Sequence, residues 1–405
     1  MMLLDRGTLG PSWQVERDRL APVKVSLVGG PVSRLDCAWD ERVEVRPGFV
    51  NAHTHLYSGL ASFGMPAPKT QPANFVEILQ RVWWRLDRAL DEQTLRASAR
   101  YAIADALLSG CTTLVDHHES PGFIDGSLDV LADAAQSLGV RLAVGYGATE
   151  RNGGADEARR GLLECERFLK ENRRSLVRGM VALHASFTVS DETIRAAGEL
   201  AWERTAPMHV HVAEDVADVE DAKQRGYEGP LERLLHLEAL PPGSVVAHGV
   251  HLDVSQVERA DGAGVWLVQN PRSNEGNRVG YPSALKASAH VAVGTDGWPA
   301  QMETEFAALR RLGHAHGDET QVLEARIATS QDLASSLFKV HLGEVAAGAP
   351  ADVTVGVPGE RPRHVLVSGR RVVADGKLVT GDLEELRARA HEAAPALWRR
   401  MEALP

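Results

Sequence analysis

Between residues 47 and 342 the chain alternates eight short apolar runs with longer stretches of amphipathic pattern. Short apolar runs are typical of buried parallel strands, and the stretches between them are long enough to form helices. This alternation predicts a (β/α)8 barrel, an α/β fold in which eight parallel strands close into a cylinder. The predicted strands are Phe49–Ala52, Thr112–Asp116, Arg141–Tyr146, Gly179–His184, Pro207–Val212, Ser244–His248, Val265–Gln269 and Val291–Thr295.

Helical patterns fill the spaces between these strands. An open, doubly wound sheet would use the same alternation, but it should carry a glycine-rich nucleotide loop after its first strand. The residues that follow Phe49–Ala52 contain no such loop, which favours the barrel. The predicted helices are Leu95–Ser109, Leu128–Leu138, Glu157–Glu171, Asp191–Arg204 and Gly229–Leu237.

Both ends of the chain depart from this pattern. Residues 1–46 contain short β-like pieces around Val23–Val28 and Val43–Val45, and residues 343–380 contain short alternating runs separated by turn residues. Such runs predict a small β-sandwich that is built from the two ends and flanks the barrel. Residues 381–405 carry apolar side chains at helical spacing, which predicts a C-terminal helix packed on its own fold, with a homodimer contact as the alternative.

Charge and cysteine content limit the partners. The 44 Lys and Arg against 55 Asp and Glu leave a net charge of −11, which disfavours binding to a phosphate backbone. Cys37, Cys111 and Cys165 form no CxxC pair, so neither a disulfide framework nor a thiolate zinc site is indicated. The N-terminus lacks a signal-peptide pattern, and no apolar run approaches the ~20 residues that span a bilayer. We therefore expect a cytoplasmic protein that binds neither nucleic acid nor membrane.

Histidines and carboxylates recur at the carboxyl ends of the predicted strands, where the active sites of (β/α)8 barrels form. His53 and His55 end the first strand and point to the same side, because strand side chains alternate with period two. Five strands place such residues at this one rim, which is unlikely by chance. The others are His184 after strand four, His209, His211 and Glu214 after strand five, His248 after strand six and Asp296 after strand eight.

Three of these histidines and one carboxylate suit a catalytic metal. The imidazoles of His53, His55 and His211 with the carboxylate of Asp296 would bind one divalent ion, with zinc favoured and iron as the alternative. A bound metal lowers the pKa of a water molecule towards ~7, and Asp296 is the natural first acceptor of its proton. Strand four carries no Lys, Glu, Asp or Cys that could bridge a second ion, so the sequence predicts one metal.

Two further residues at the rim suit proton transfer. Glu214 lies three residues after His211, close enough to shuttle a proton to a leaving group without binding the metal. His248 could polarise the oxygen that develops on the attacked carbon. Glu214, His248 and Asp296 are thus the predicted catalytic residues, whereas His209, one layer deeper in the barrel, is expected to pack beside the site.

Long stretches of the chain resemble the amidohydrolase superfamily, in its deaminase and chlorohydrolase-like branch, and most of all the SsnA-type aminohydrolases. The resemblance implies hydrolysis of a carbon–nitrogen bond, most often deamination of a purine, pyrimidine or triazine-like ring. It implies that His53, His55 and His211 are metal ligands and that Asp296 is both ligand and base. It also implies that Glu214 shuttles protons, that His248 polarises the electrophile and that His184 contacts the substrate. The segment before Pro47 is shorter than usual and lacks a clear opening β-hairpin. The matching stretches include PGFVNAHTHLYSGLA, VWWRLDRALDEQTL, GCTTLVDHHESPGFIDGSLD, HVHVAEDVADVEDA, VAHGVHLD and VGTDGWPAQM.

Three other residues are candidate substrate contacts. His118 belongs to a group after strand two of which one member is expected to face the cavity, unless the group supports the loop. Trp83 could stack on a planar substrate, or it could pack in the core. Arg272 lies in a loop rich in donors that could bind substrate or form a hydrogen-bonded turn.

These observations predict a metal-dependent hydrolase that deaminates a small polar, N-heterocyclic substrate and releases ammonia. Hydrolytic dechlorination or cyclic-amide hydrolysis at the same site is the alternative reaction. A metal-dependent binding protein that has lost catalysis is a remote alternative, because such a protein would be expected to lose Glu214 or Asp296 first.

Overall fold

The computed structural model describes residues 13–16, 18–22 and 43–404. The β-like piece predicted at Val23–Val28 and the residue Cys37 lie outside them. The strands of the described residues are β1 (Trp13–Glu16), β2 (Arg19–Pro22), β3 (Glu44–Pro47), β4 (Phe49–Thr54), β5 (Cys111–His118), β6 (Arg141–Ala148), β7 (Val177–Gly179), β8 (Val181–Ala185), β9 (Met208–Val212), β10 (Val245–His248), β11 (Trp266–Gln269), β12 (Val291–Val293), β13 (Val353–Gly356), β14 (His364–Val367), β15 (Arg370–Ala374) and β16 (Lys377–Leu378).

Helices alternate with the strands throughout the middle of the chain. A π-helical turn, Leu79–Trp83, joins the first two. The α-helices of the described residues are α1 (Phe75–Ile78), α2 (Trp84–Ala89), α3 (Glu92–Leu108), α4 (Ser127–Leu138), α5 (Ala155–Glu171), α6 (Asp191–Arg204), α7 (Val216–Gln224), α8 (Pro230–His236), α9 (Val254–Gly262), α10 (Pro271–Gly276), α11 (Met302–Ala315), α12 (Thr320–Phe338) and α13 (Leu383–Ala403).

The strands from β4 to β12 form one parallel sheet that closes into the predicted barrel. Its order is β12-β11-β10-β9-β8-β6-β5-β4, with β7 beside β6. The barrel closes after β12, where the backbone N–H groups of Thr295 and Asp296 donate to the carbonyl oxygen of His53 at 3.0 and 2.9 Å. The (β/α)8 fold and its eight strands are confirmed, with one correction: the fourth strand is interrupted at Met180, which separates β7 from β8.

Side-chain caps begin several of the barrel helices. Asp91, Ser190 and Asp253 each accept a hydrogen bond from a backbone N–H in the first turn of α3, α6 and α9. The helix α4 ends at Gly139, whose φ of 85° is left-handed and therefore favours glycine. Capping side chains and glycines mark helix ends in the sequence itself, which explains why the predicted and observed helix bounds agree closely.

The two ends of the chain meet in an antiparallel sheet of order β16-β15-β14-β13-β3. β1 and β2 form a hairpin, and Leu20 of β2 exchanges backbone hydrogen bonds of 2.8 Å with Gly348 and Ala349. An opening hairpin is therefore present, which corrects the expectation from the sequence. The turn between β1 and β2 contains no Asn-Gly or Asp-Gly pair, so the hairpin has no strong local signal. The domain boundaries at residues 46 and 343 stay predictions.

The last helix, α13, packs on the barrel helices α2 and α3. Its Trp398 donates from Nε1 to the carbonyl oxygen of Phe63 at 3.0 Å, and Arg400 donates to the carbonyl oxygen of Ala89 at 2.7 Å. The apolar spacing of this helix thus serves packing on its own fold, and a homodimer contact stays a prediction.

Two cysteines of the described residues, Cys111 and Cys165, are free and buried. Burial raises the pKa of the Cys165 thiol to about 12. Among the helices that the structure describes, none has a stretch that is both long and apolar enough to cross a membrane.

Candidate active site

The predicted metal ligands converge at the carboxyl end of the barrel. Oδ1 of Asp296 lies 2.9 Å from Nε2 of His55 and 3.4 Å from Nε2 of His53. Nε2 of His211 lies 3.3 Å from Nε2 of His55. The ring of His53 is fully buried and the Asp296 side chain is 14% exposed, so this cluster lies inside the rim. The structure therefore brings together the four side chains that the sequence proposes as one ligand set.

Hydrogen bonds on the outer side of the rings orient two of these histidines. Nδ1 of His55 donates to the carbonyl oxygen of His117, and Nδ1 of His211 donates to the carbonyl oxygen of His184, both at 2.6 Å. A neutral imidazole that donates from Nδ1 keeps its lone pair on Nε2, the nitrogen that faces the cluster. The two rings are therefore held in the tautomer that binds a metal through Nε2.

His53 is oriented by a second histidine instead of a carbonyl group. Its Nδ1 lies 2.9 Å from Nε2 of His209, and its own Nε2 is buried without a hydrogen-bond partner. Burial lowers the pKa of His53 to about 3 and holds the pKa of His209 well below its ordinary value. Both rings are thus neutral, and the unpaired Nε2 of His53 is a ready metal ligand. Three imidazoles and one carboxylate fit a divalent ion.

Three residues at or next to this cluster have a strained backbone. Ala213, His248 and Asp296 adopt left-handed φ angles of 50°, 76° and 55°, which are uncommon for residues other than glycine. Such strain is often found at functional sites, where the surrounding structure maintains it. At Asp296 the left-handed turn follows directly after the hydrogen bond that closes the barrel onto His53.

The carboxylate of Asp296 is held ionised. Burial opposes its ionisation, but the contacts with His53 and His55 outweigh that effect and keep the pKa of Asp296 well below its usual range. Its second oxygen, Oδ2, accepts a hydrogen bond from the hydroxyl group of Ser273. Asp296 is therefore a negatively charged oxygen donor beside the three imidazoles.

Glu214 and His248 face each other beside this cluster. Oε2 of Glu214 lies 3.5 Å from Nε2 of His248, and Oε1 accepts from the amide of Asn277 at 3.4 Å. Burial raises the pKa of Glu214 well above its ordinary value, and the charge of Asp296 raises it further. A raised pKa favours the protonated form of the carboxyl group, which can donate a proton.

Two asparagines flank the other nitrogen of His248. Nδ1 lies 2.9 Å from Oδ1 of Asn274 and 3.4 Å from Nδ2 of Asn270. The shorter contact is to an amide oxygen, which can only accept, so Nδ1–H of His248 donates to Asn274. The lone pair of the neutral ring then lies on Nε2, the nitrogen that faces Glu214. Asn274 and Asn277, in the PRSNEGN segment around α10, therefore position His248 and Glu214, as expected of a hydrogen-bonded turn.

A cavity opens over these groups. Of the predicted substrate contacts, Trp83 and His184 line it, and the His184 ring lies 5.5 Å from the His211 ring. The other residues that line it are His55, Tyr57, Ser58, Phe75, Leu79, Trp84, Asp87, Glu119, Ala185, Phe187, His211, Glu214, Asp215, Asp218, Asn277, Asp296 and Gly297.

Two of the predicted substrate contacts lie elsewhere. The guanidinium group of Arg272 donates to Glu305 and to the carbonyl oxygen of Pro299, and the residue does not line the cavity. His118 is fully buried behind the wall, with Nε2 2.8 Å from the hydroxyl oxygen of Ser120. A buried carboxylate and a neighbouring hydroxyl group engage these side chains, and a role for either in substrate binding stays a prediction.

Glu119 and Asp87 line the cavity and have no place in the sequence prediction. Glu119 directly follows the second strand, so the strand-end rule that identified His53 would also have identified it. Its Oε1 lies 2.8 Å from Nδ1 of His117. Asp87 lies on α2, in the excursion after the first strand, where no strand-end rule applies.

Comparisons with known proteins identify the family and the fold. The model of the amidohydrolase family matches residues 45–372. The 5′-deoxyadenosine deaminase of Methanopyrus kandleri is 28% identical, with 89% of each chain covered. The 8-oxoguanine deaminase of Pseudomonas aeruginosa is 29% identical, with 87% of each chain covered. Among solved structures, an adenosine deaminase from Xanthomonas campestris with bound zinc shares the fold at a TM-score of 0.75, with 21% identity over 90% of this chain and 87% of that one.

Proposed function

The chain belongs to the amidohydrolase family, and on that basis we propose that it is a metal-dependent deaminase of a small, polar N-heterocycle. The observation that carries this proposal is the convergence of three imidazoles and Asp296 beside Glu214, a carboxyl group whose pKa burial raises. Two relatives that match most of the chain are named as deaminases, which supports release of ammonia from an amino-substituted ring.

The ligand set favours one divalent ion. His53, His55, His211 and Asp296 would hold it, and when bound it would act as a Lewis acid and lower the pKa of a water molecule to ~7. Zinc is favoured because the donors suit it and a protein of the same fold contains it, while iron suits the same donors. Glu119 and His184 also approach His211, but Nδ1 of His211 is already bonded, so its one free nitrogen cannot serve two ions.

The other residues supply the proton transfers. The ionised Asp296 takes a proton from the attacking water, whose oxygen adds to the ring carbon that carries the amino group. His248, oriented by Asn274, is placed to polarise that oxygen as negative charge develops on it. Glu214 protonates the ring nitrogen or the departing amine, and ammonia leaves while a carbonyl group forms on the ring. Hydrolytic dechlorination or cyclic-amide hydrolysis would use the same groups on a different bond.

Ammonia release over a panel of amino-purines, amino-pyrimidines and amino-triazines tests this function. The protein is purified without added metal, its metal content is determined by elemental analysis, and each compound is assayed for ammonia. We expect at least one compound to release ammonia, and we expect activity to disappear on chelation and return with zinc or iron. Chloride release from chloro-triazines, measured in parallel, would favour dechlorination. A metal-loaded protein that releases neither product would contradict the proposal.

A further inference from the structure

The short helix α10 lies beside the predicted catalytic residues without supplying any of them. It comprises Pro271–Gly276, and Pro271 occupies its first turn, where the fixed φ of proline suits a helix. A helix this short is not stable by itself in water. The position of α10 is therefore determined by the contacts that it makes with the rest of the fold.

Three side chains of this segment hydrogen-bond to the predicted catalytic residues, one to each. They lie within five consecutive residues, so a shift of the helix would displace all three contacts together. Two of them, Ser273 and Asn274, are buried, with 1% and 2% of their surface exposed. The pairs are Ser273 with Asp296, Asn274 with His248 and Asn277 with Glu214.

Arg272 connects this helix to two neighbouring segments. Its guanidinium group donates from Nε to the carboxylate of Glu305 and from Nη2 to the carbonyl oxygen of Pro299, the latter at 2.7 Å. Its backbone N–H also donates to Glu305, at 2.8 Å. Glu305 belongs to α11 and is fully buried, and Pro299 follows three residues after the ligand Asp296. Arg272 thus joins α10 to α11 and to the segment that carries a predicted metal ligand.

The pair of Arg272 and Glu305 has no direct access to a substrate. Neither residue is among the described residues that line the cavity, and the Arg272 side chain is 12% exposed. A buried ion pair is a weak source of stability, because both charges lose their hydration. The planar guanidinium group, however, fixes the directions of its hydrogen bonds, which a flexible cation such as lysine does not. The pair is therefore better suited to fixing a position than to stabilising the fold.

We propose that Arg272 is a positioning residue, which through Glu305 and Pro299 holds α10 where its side chains orient the catalytic groups. This inference rests on the proposed function for the roles of those groups, and it deepens that function by adding a residue on which the reaction depends. A misplacement of about 1 Å in a catalytic group can lower a rate by about 100-fold. Loss of this anchor should therefore slow the reaction, although the anchor does not contact the substrate.

Steady-state kinetics of ammonia release distinguish this role from substrate binding. The assay uses metal-loaded Arg272→Met protein and the most active compound of the panel. We expect kcat to fall by about 10- to 100-fold and KM to stay within about threefold of the parent value. A rise in KM with an unchanged kcat would show that Arg272 binds the substrate, and an unchanged kcat and KM would show that α10 needs no anchor. Either result would overturn the inference.

Metal affinity gives a second measurement that does not depend on turnover. Ser273 on α10 holds one oxygen of Asp296, so a displaced helix should also disturb this ligand. Competition with a chromogenic chelator should show that Arg272→Met binds zinc about 10-fold more weakly than the parent protein. Parent-like zinc affinity would overturn the inference.

Substitution of the partner tests whether Arg272 acts through Glu305. Glu305→Gln should change kcat and zinc affinity in the same direction as Arg272→Met. The double variant should lose no more than the more severe single variant, because both substitutions break one contact, whereas losses that multiply would overturn the inference. The double variant also leaves no buried unpaired charge, so with Glu305→Gln it decides the question should Arg272→Met not fold.

Arg141→Met is the matched control. Arg141 forms another buried ion pair, with Asp352, and the two side chains are 6% and 4% exposed. This change should lower the melting temperature and leave kcat and zinc affinity at the parent level. An equal loss of kcat in Arg141→Met would mean that instability alone explains the effect, and would overturn the inference.

The two measurements separate this inference from the proposed function. A parent protein that releases no ammonia from any compound overturns the proposed function, and the zinc affinities of the variants then decide the inference. Weaker zinc binding in Arg272→Met and Glu305→Gln, with no further loss in the double variant, would support the anchor in that case as well.

Discussion

His209 supports His53 from one layer deeper in the barrel: Nε2 of His209 lies 2.9 Å from Nδ1 of His53, and both rings are fully buried. Residues that hydrogen-bond to a metal-binding histidine fix its orientation and its tautomer. His209 is thus a positioning residue for the predicted metal site, although it lies on the same strand as the ligand His211.

Substitution of His209 by Leu should weaken metal binding by about 10- to 100-fold, because His53 loses the group that orients it. Competition with a chromogenic chelator measures the affinity directly. His290→Leu is a suitable control, since His290 is partly exposed and bonded to Asp261. Unchanged metal affinity in His209→Leu would show that packing alone orients His53.

Substitution of Glu214 by Gln should lower ammonia release by about 100- to 10,000-fold, because glutamine has the same shape and cannot supply the proton. The metal content should stay at the parent level, since Glu214 is outside the ligand set. Ammonia assays and elemental analysis of the same preparation check both statements. Glu232→Gln on α8, whose carboxylate bonds Gln256 and Arg259, serves as control. Full activity in Glu214→Gln would refute its role.

Glu150 should stabilise the fold at neutral pH and not at low pH. Burial opposes its ionisation, but hydrogen bonds from Ser190 and Thr193 outweigh that effect and lower the pKa of Glu150. A depressed pKa contributes stability above the unfolded value of about 4.3, and this contribution is lost as the pH falls through the folded value. Glu150→Gln should therefore destabilise the protein by about 1–2 kcal/mol at pH 7.

Thermal melting of both proteins between pH 3 and pH 7 measures this effect. The difference in melting temperature should be present at pH 7 and should shrink as the pH falls below about 4. A difference that stays constant over this range would mean that shape, and not ionisation, explains the role of Glu150.

Gly294, between β12 and the ligand Asp296, leaves no room for a side chain. A Cβ atom there would lie 2.6 Å from Oδ1 of Asn270 and 2.7 Å from the backbone of His53. Gly294→Ala should lower the free energy of unfolding by about 1–3 kcal/mol and disturb metal binding, because the barrel closes at this point. Melting temperature and metal content check this.

The control for this change is Gly262→Ala. Gly262 ends α9, and a Cβ atom at this position would meet no atom of the described residues within 4 Å, so alanine should be neutral or stabilising there. Equal melting temperatures for the parent and Gly294→Ala would show that the backbone at the closure can shift.

Much of the site could be read from spacing because of one geometric fact. A (β/α)8 barrel brings the carboxyl ends of all its strands to one rim, so residues such as His53, His211 and Asp296 meet although they are far apart in the chain. Strand periodicity and helix caps are local signals, and both were visible in the sequence. The same rule extends to Glu119, which directly follows the second strand of the barrel.

The orientation of Arg272 and His118 depends on a different physical factor. The structure directs both side chains to buried partners, Glu305 and Ser120, and a role for either in substrate binding stays a prediction. Whether a side chain at the rim faces solvent, the substrate or a buried partner depends on how distant segments of the chain pack together. No periodicity in the chain encodes that choice.

The sequence by itself determined the barrel, the strand ends and the candidate set of metal-binding and proton-transferring residues, because these follow from local patterns repeated at one rim. Only the tertiary structure decided which neighbouring residues orient these side chains and which residues line the cavity above them. Asp87 and Arg151 are 64 residues apart and meet because α2 packs over the rim. This buried pair forms only because the segment between the first barrel strand and α3 packs on the barrel, through contacts between residues that are distant in the sequence.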